Sequence, residues 1–196
     1  MTEPFLANPA PPSNVVFDLD GVIFLGGEAI AGSGAALHEL DARGINVLFA
    51  TNNATRTIDY IVERITALTG FAPSPRSVTT SATSAADALG PADDPVFVVG
   101  EAGLTATLAD ANRSTTLDAG EAQTVVVGLD RQISYEKLEH ASTAIRNGAR
   151  FVATNTDVTF PTPSGPVPGA GTIVAAVAAA SGRDPEIMGK PHPAMV

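Results

Sequence analysis

Two spacings of apolar residues alternate along this chain. Val15, Val16, Phe17 and Leu19 form a short run rich in β-branched side chains between turn formers, which is how a buried parallel strand reads. After a glycine-rich loop, Ala36, Leu37 and Leu40 keep helical spacing, with Ser33 placed to cap the helix and Gly44 where a left-handed closing residue belongs. Residues 45–50 read as a second buried strand. Ile58, Ile61, Ile65 and Leu68 then lie on one face, predicting an amphipathic helix over 57–69 closed by Gly70. Helices near 81–89, 104–111, 134–147 and 171–181 alternate with strands near 96–99, 124–127, 151–154 and 186–188, and 161–168 reads as a proline-rich loop. Such alternation implies a mostly parallel sheet covered by helices on both faces.

Composition narrows the class. The 196 residues are 44% hydrophobic, enough for one large or two small domains with a real core. No cysteine is present, which excludes disulfides and thiolate metal sites. Eleven Lys and Arg against 21 Asp and Glu give a net charge of -10, which argues against a general grip on nucleic acid or anionic membrane, though not against a local positive pocket. No Lys or Arg precedes Arg43, and the longest apolar run, 172–180, is short of the ~20 residues that cross a bilayer. The expectation is a cytoplasmic protein with a flexible arm over 1–13.

The polar residues of interest fall at the carboxyl ends of predicted strands, where open α/β sheets bind ligands. Asp18 and Asp20 close the first strand, and Thr51, Asn52 and Asn53 close the second. An acidic residue there without a cationic partner is electrostatically costly, which points to a metal or a catalytic task; an Asx turn or a helix cap is the competing reading. Thr51 alone reads equally well as a cap, and Lys190 alone as a solvated lysine, although it is one of only two lysines. Asn155 and Asp157 follow a predicted strand, where an Asx turn before the proline-rich loop is the plain alternative. His38 and His140 read as surface residues, His192 as part of a turn, and the Gly26-Gly27 and Gly32-Ser33-Gly34 stretches fit no nucleotide fingerprint.

The stretches DLDGVI at 18–23, TNN at 51–53 and GKP at 189–191 resemble the first three motifs of the haloacid dehalogenase superfamily of phosphohydrolases. VVVGLDRQISYEKL at 125–138, TNTD at 154–157 and PGAGTIVAAV at 168–177 extend the resemblance to its 4-nitrophenylphosphatase, phosphoglycolate phosphatase and glycerol-3-phosphate phosphatase subfamily. This implies an α/β fold with an incomplete doubly wound, Rossmann-like parallel-sheet core over 14–92, an inserted α/β cap over 93–185, and a return to the core over 186–196. It implies Asp18 as the nucleophile that forms an aspartyl-phosphate, and Asp20 as the proton donor and then acceptor. Thr51, Asn52 through its backbone amide, and Lys190 would hold the phosphoryl group, Mg²⁺ would sit on Asp18 and Asp20, and Asn155 and Asp157 would face the cleft from the cap. The implied substrate is a small phosphorylated metabolite, and the implied assembly is a homodimer through the cap. The family's fourth, acidic motif has no counterpart in this sequence, which leaves two expectations open: a Mg²⁺-dependent phosphatase, or a truncated module that binds phosphoesters or associates without catalysis.

Overall fold

The computed structural model describes residues 12–162 and 164–195. The arm expected over 1–13 therefore lies outside the described residues except for positions 12 and 13. The chain begins with β1 (Asn14–Phe17), a small hairpin of β2 (Phe24–Leu25) and β3 (Glu28–Ala29), α1 (Ser33–Ala42), β4 (Asn46–Thr51), α2 (Ile58–Thr69), β5 (Val78–Thr80) and α3 (Ser81–Asp87). It continues through β6 (Val96–Val99), α4 (Ala102–Asp110), β7 (Thr115–Thr116), β8 (Thr124–Val127), α5 (Tyr135–Arg146) and β9 (Arg150–Ala153). A second hairpin, β10 (Thr159–Thr162) and β11 (Gly165–Pro168), precedes α6 (Ala170–Ser181) and β12 (Glu186–Ile187).

The alternation divides between two parallel sheets. The smaller has the order β1-β4-β5, and the larger the order β12-β9-β8-β6-β7. Strand β8 is buried along its whole length because Val125 and Val127 pack against α5 and α6 while Val126 faces α3 and α4. A strand covered on both faces must be apolar throughout, which is why its sequence does not alternate. The core under the smaller sheet joins Leu37, Phe49, Ile61, Ile65 and Val78. Thr57 caps α2 by accepting from the Tyr60 N–H, and Gly70 closes it at φ 73°, as its sequence predicts.

Four local expectations change. Strand β1 is not buried: Val16 is 59% exposed, because among the described residues β1 pairs only with β4 and one of its faces is open. Gly32 rather than Ser33 caps α1, in a left-handed conformation that glycine tolerates, and Ser33 instead donates its hydroxyl to the Ile23 carbonyl at 3.0 Å. The proline-rich loop is largely the β10–β11 hairpin, with Pro161 opposite Pro166; a two-stranded ribbon has open edges where a missing N–H is tolerated. The strand expected to begin the return to the first sheet, β12, pairs with β9 in the larger one, so the crossing back falls at Gly189 and Lys190.

Candidate active site

The parallel register places Phe17 opposite Phe49, so the carboxyl ends of β1 and β4 open side by side. Beyond β1 the chain folds into a compact turn in which the N–H groups of Val22, Ile23 and Phe24 all point at the Leu19 carbonyl. Leu19, Ile23 and Phe24 enter the core, while Asp18 and Asp20 on either side of Leu19 stay toward the cleft. The apolar residues anchor the turn, and that anchoring aims the two carboxylates.

Lys190 arrives from the far end of the sequence. Its Nζ lies 2.7 Å from Asp18 Oδ1 and donates to the Ala50 carbonyl at 2.8 Å. The Leu19 N–H also donates to Asp18 Oδ1, at 2.8 Å, so one carboxylate oxygen is held and Oδ2 has no hydrogen-bond partner among the described residues. Asp20 keeps contact with solvent, yet crowding by the cleft walls and then the charge of Asp18 push its carboxyl above the usual aspartate range, against the pull of Arg64 and Lys190. Thr51 is 1% exposed, and its hydroxyl accepts from the Asn53 N–H at 3.1 Å.

Asn52 ties the two sheets together. Its Oδ1 accepts from the Lys190 N–H at 2.7 Å, and its Nδ2 donates to the Lys190 carbonyl at 3.1 Å and to Asp157 Oδ2 at 2.9 Å. Its backbone carbonyl accepts from Asn155 Nδ2 at 2.8 Å and from the Ser81 hydroxyl at 2.7 Å. The structure therefore brings together all seven residues singled out from the sequence. It gives the side chains of Asn52 and Asn155 bracing contacts, and Asp157 forms the Asx turn by donating its N–H to Asn155 Oδ1 at 3.0 Å.

These groups line a cleft of about 690 Å³ between the sheets. Asp18, Asp20, Thr51 and Lys190 form one wall; Asn155, Asp157, Arg131 and Phe160 form the other. Sequence reasoning missed three residues here. Arg64 reaches the cleft from α2, lies over the Phe24 ring and donates to the Gly26 carbonyl. Arg131 pairs with Glu101 at 2.6 Å, and its guanidinium stands 5.6 Å from the centre of the Phe160 ring. Arg131 lies within the 125–138 stretch but is not singled out there, and Arg64 and Phe160 lie in none of the short motifs; each acts through a neighbour distant in sequence.

For a cation, the available donors are a carboxylate oxygen of Asp18 and the backbone carbonyl of Asp20, which leaves the Asp20 carboxyl for proton transfer. Among the described residues no group of three His, Asp or Glu side chains could hold a metal. One carboxylate and one carbonyl on an open cleft fit Mg²⁺, which keeps several waters and often takes only one or two protein carboxylates. Among the described residues no helix is long and apolar enough to cross a membrane.

Residues 15–114 match the haloacid dehalogenase-like hydrolases. The acid sugar phosphatase of Staphylococcus aureus (strain USA300) is 36% identical over 180 residues, which is 91% of this chain and 69% of that protein. The p-nitrophenyl phosphatase from Archaeoglobus fulgidus superimposes with a TM-score of 0.86 at 31% identity, covering 94% of this chain and 71% of its own. The glycerol phosphate phosphatase from Mycobacterium tuberculosis, solved in complex with magnesium, gives a TM-score of 0.82 at 36% identity over 93% of this chain and 56% of its own. With the cleft geometry and these matches in agreement, the chain belongs to the haloacid dehalogenase-like hydrolases.

Proposed function

We propose that this chain is a Mg²⁺-dependent phosphatase of small phosphorylated metabolites such as glycerol phosphate or phosphoglycolate, and that the unit built on the larger sheet is the cap of its active site. The observation that carries this reading is the meeting of Asp18, Asp20, Thr51 and Lys190 at one strand end, with Lys190 Nζ 2.7 Å from Asp18. Phosphoryl transfer asks mainly for positioning and charge neutralisation, and this set supplies both.

The free Oδ2 of Asp18 attacks phosphorus as the ester P–O bond breaks, giving an aspartyl-phosphate. Asp20, whose raised pKa favours the protonated form, gives its proton to the departing alkoxide. A water then attacks phosphorus, loses its proton to Asp20, and releases inorganic phosphate and free Asp18. Lys190 and the Thr51 hydroxyl hold the transferring oxygens, together with the Asn52 N–H. Mg²⁺, held by Asp18 and Asp20, would supply neutralisation of the phosphoryl charge. The larger-sheet wall limits water access and contacts the leaving group.

The reading includes pairing of two copies through the larger-sheet unit, which carries exposed Leu117 and Tyr135; light scattering tests it. The test of the activity itself is Mg²⁺-dependent hydrolysis of 4-nitrophenyl phosphate by the whole chain, with Asp18→Asn alongside. Turnover that disappears in the variant and in EDTA supports the reading, whereas turnover undiminished in Asp18→Asn refutes it.

A further inference from the structure

We infer that Arg64 is a positioning residue for Asp20: from α2 it grips the β2–β3 hairpin, and the hairpin fixes the turn that carries the Asp20 carboxyl. The inference rests on the phosphatase reading and adds to it a residue outside the sequence motifs.

The hairpin cannot hold its place alone. Each strand contributes two residues, β2 and β3 pair with no other strand among the described residues, and Gly26 and Gly27 form the tip. A two-stranded ribbon is marginal in water, and glycines at its tip add to the entropy lost on ordering. Arg64 supplies the missing hold. Its guanidinium donates to the Gly26 carbonyl, lies 4.8 Å from the centre of the Phe24 ring and donates to the Tyr60 hydroxyl at 3.3 Å. Tyr60 stands one turn earlier on α2, so it steadies the long side chain from the helix itself, and buried Ile61 and Ile65 fix that helix against the core. Among the described residues no carboxylate pairs with Arg64, so its partners are the hairpin and its own helix. One planar fork covers a ring and satisfies a carbonyl at once, which an ammonium does less well.

The grip reaches Asp20 through Phe24. The Phe24 N–H donates to the Leu19 carbonyl at 3.2 Å, and the Phe24 carbonyl accepts from the Gly21 N–H at 2.8 Å. Asp20 is the residue between Leu19 and Gly21, and it forms an isolated bridge with Phe24. Both chain neighbours of Asp20 are therefore tied to the residue whose ring Arg64 covers.

The test compares phenyl phosphate with 4-nitrophenyl phosphate, two esters of similar shape, as substrates of the whole chain in Mg²⁺. The quantity measured is kcat/KM, which reports the first phosphoryl transfer. Phenoxide, whose conjugate acid resembles tyrosine with a pKa of about 10, needs a proton as it departs, whereas 4-nitrophenoxide leaves with little help. Asp20→Asn sets the pattern, a larger loss with phenyl phosphate than with 4-nitrophenyl phosphate. Arg64→Met should reproduce it, losing roughly tenfold or more with phenyl phosphate and less than about threefold with 4-nitrophenyl phosphate, the scale of a displaced proton donor. Arg64→Lys, which keeps the charge without the fork, should show the same split at a few-fold, and it decides alone if Arg64→Met does not melt cooperatively. Equal losses with the two esters, or no loss, overturn the inference, since a merely structural defect lowers both alike. A wild type that turns over neither ester is instead the failure of the phosphatase reading. Amide exchange decides the inference independently of activity. The Gly21 N–H should exchange at least about tenfold faster in Arg64→Met while the amides of α2 keep their rates, and an unchanged Gly21 rate overturns it.

Discussion

Replacing Asn52 by Ala removes the side chain that connects the two sheets at the cleft. Three hydrogen bonds go with it: from the Lys190 N–H at 2.7 Å, to the Lys190 carbonyl at 3.1 Å and to Asp157 at 2.9 Å. The two neutral bonds contribute about 1 kcal/mol each, and the one to a carboxylate about 1.5–3 kcal/mol. Water can reach these half-buried groups and replace part of what is lost, so the net destabilisation is about 2–3 kcal/mol. For a chain of this size that lowers Tm by roughly 4–12 °C. Urea unfolding of Asn52→Ala, Asp157→Ala and the double variant measures it, and the cycle should return a coupling of about 1 kcal/mol between the two residues. The loosened Lys190 segment should also reduce kcat for 4-nitrophenyl phosphate. A stability loss below about 0.5 kcal/mol, the size of an ordinary surface change, would refute the bracing role.

Lys190→Met should lower kcat by roughly a hundredfold or more, as expected when a charge-stabilising donor is removed, with the melting curve confirming that the variant is folded. Gly171→Ala should destabilise by about 2 kcal/mol or more, because a Cβ there would stand 2.3 Å from the Thr156 carbonyl oxygen, which is backbone and cannot easily yield. Chemical denaturation reads that loss directly. Stability should also fall in acid through the cluster around Arg150. Hydrogen bonding to Arg150 holds Glu186 below its ordinary 4.5, and the Gly90 N–H followed by Arg150 holds Asp93 below 3.8. Because both folded values are depressed, the contribution is complete above about pH 4.5 and disappears as pH drops through the folded values. These groups are partly exposed, so it amounts to at most about 1 kcal/mol. The stability difference between wild type and Arg150→Gln should therefore shrink below pH 4.5, and a difference that stays constant down to pH 3 would contradict the assignment.

Much of the framework was readable before any coordinates. The strands at Val96–Val99 and Thr124–Val127, and helices α2, α5 and α6, follow from local spacing, with Gly70 closing α2. Those signals are local because helix and strand periods are properties of the chain itself. The motif residues Asp18, Asp20, Thr51 and Lys190 were equally visible, since they stand at strand ends or in recognisable short stretches. What tertiary structure alone decided is how distant segments share surfaces. Alternation of strands and helices is the same whether it builds one sheet or two, and only packing on both faces of β8 separates the larger sheet from the smaller. Exposure of Val16 depends on which neighbours β1 acquires, and the β10–β11 hairpin overrides a composition that reads as loop. The contacts that finish the site bridge long separations: Lys190 to Ala50, Asp157 to Asn52, Arg131 to Glu101. Periodicity reports which face of an element is apolar, but hydrogen bonds and charge pairing across the cleft exist only once the chain has folded back on itself.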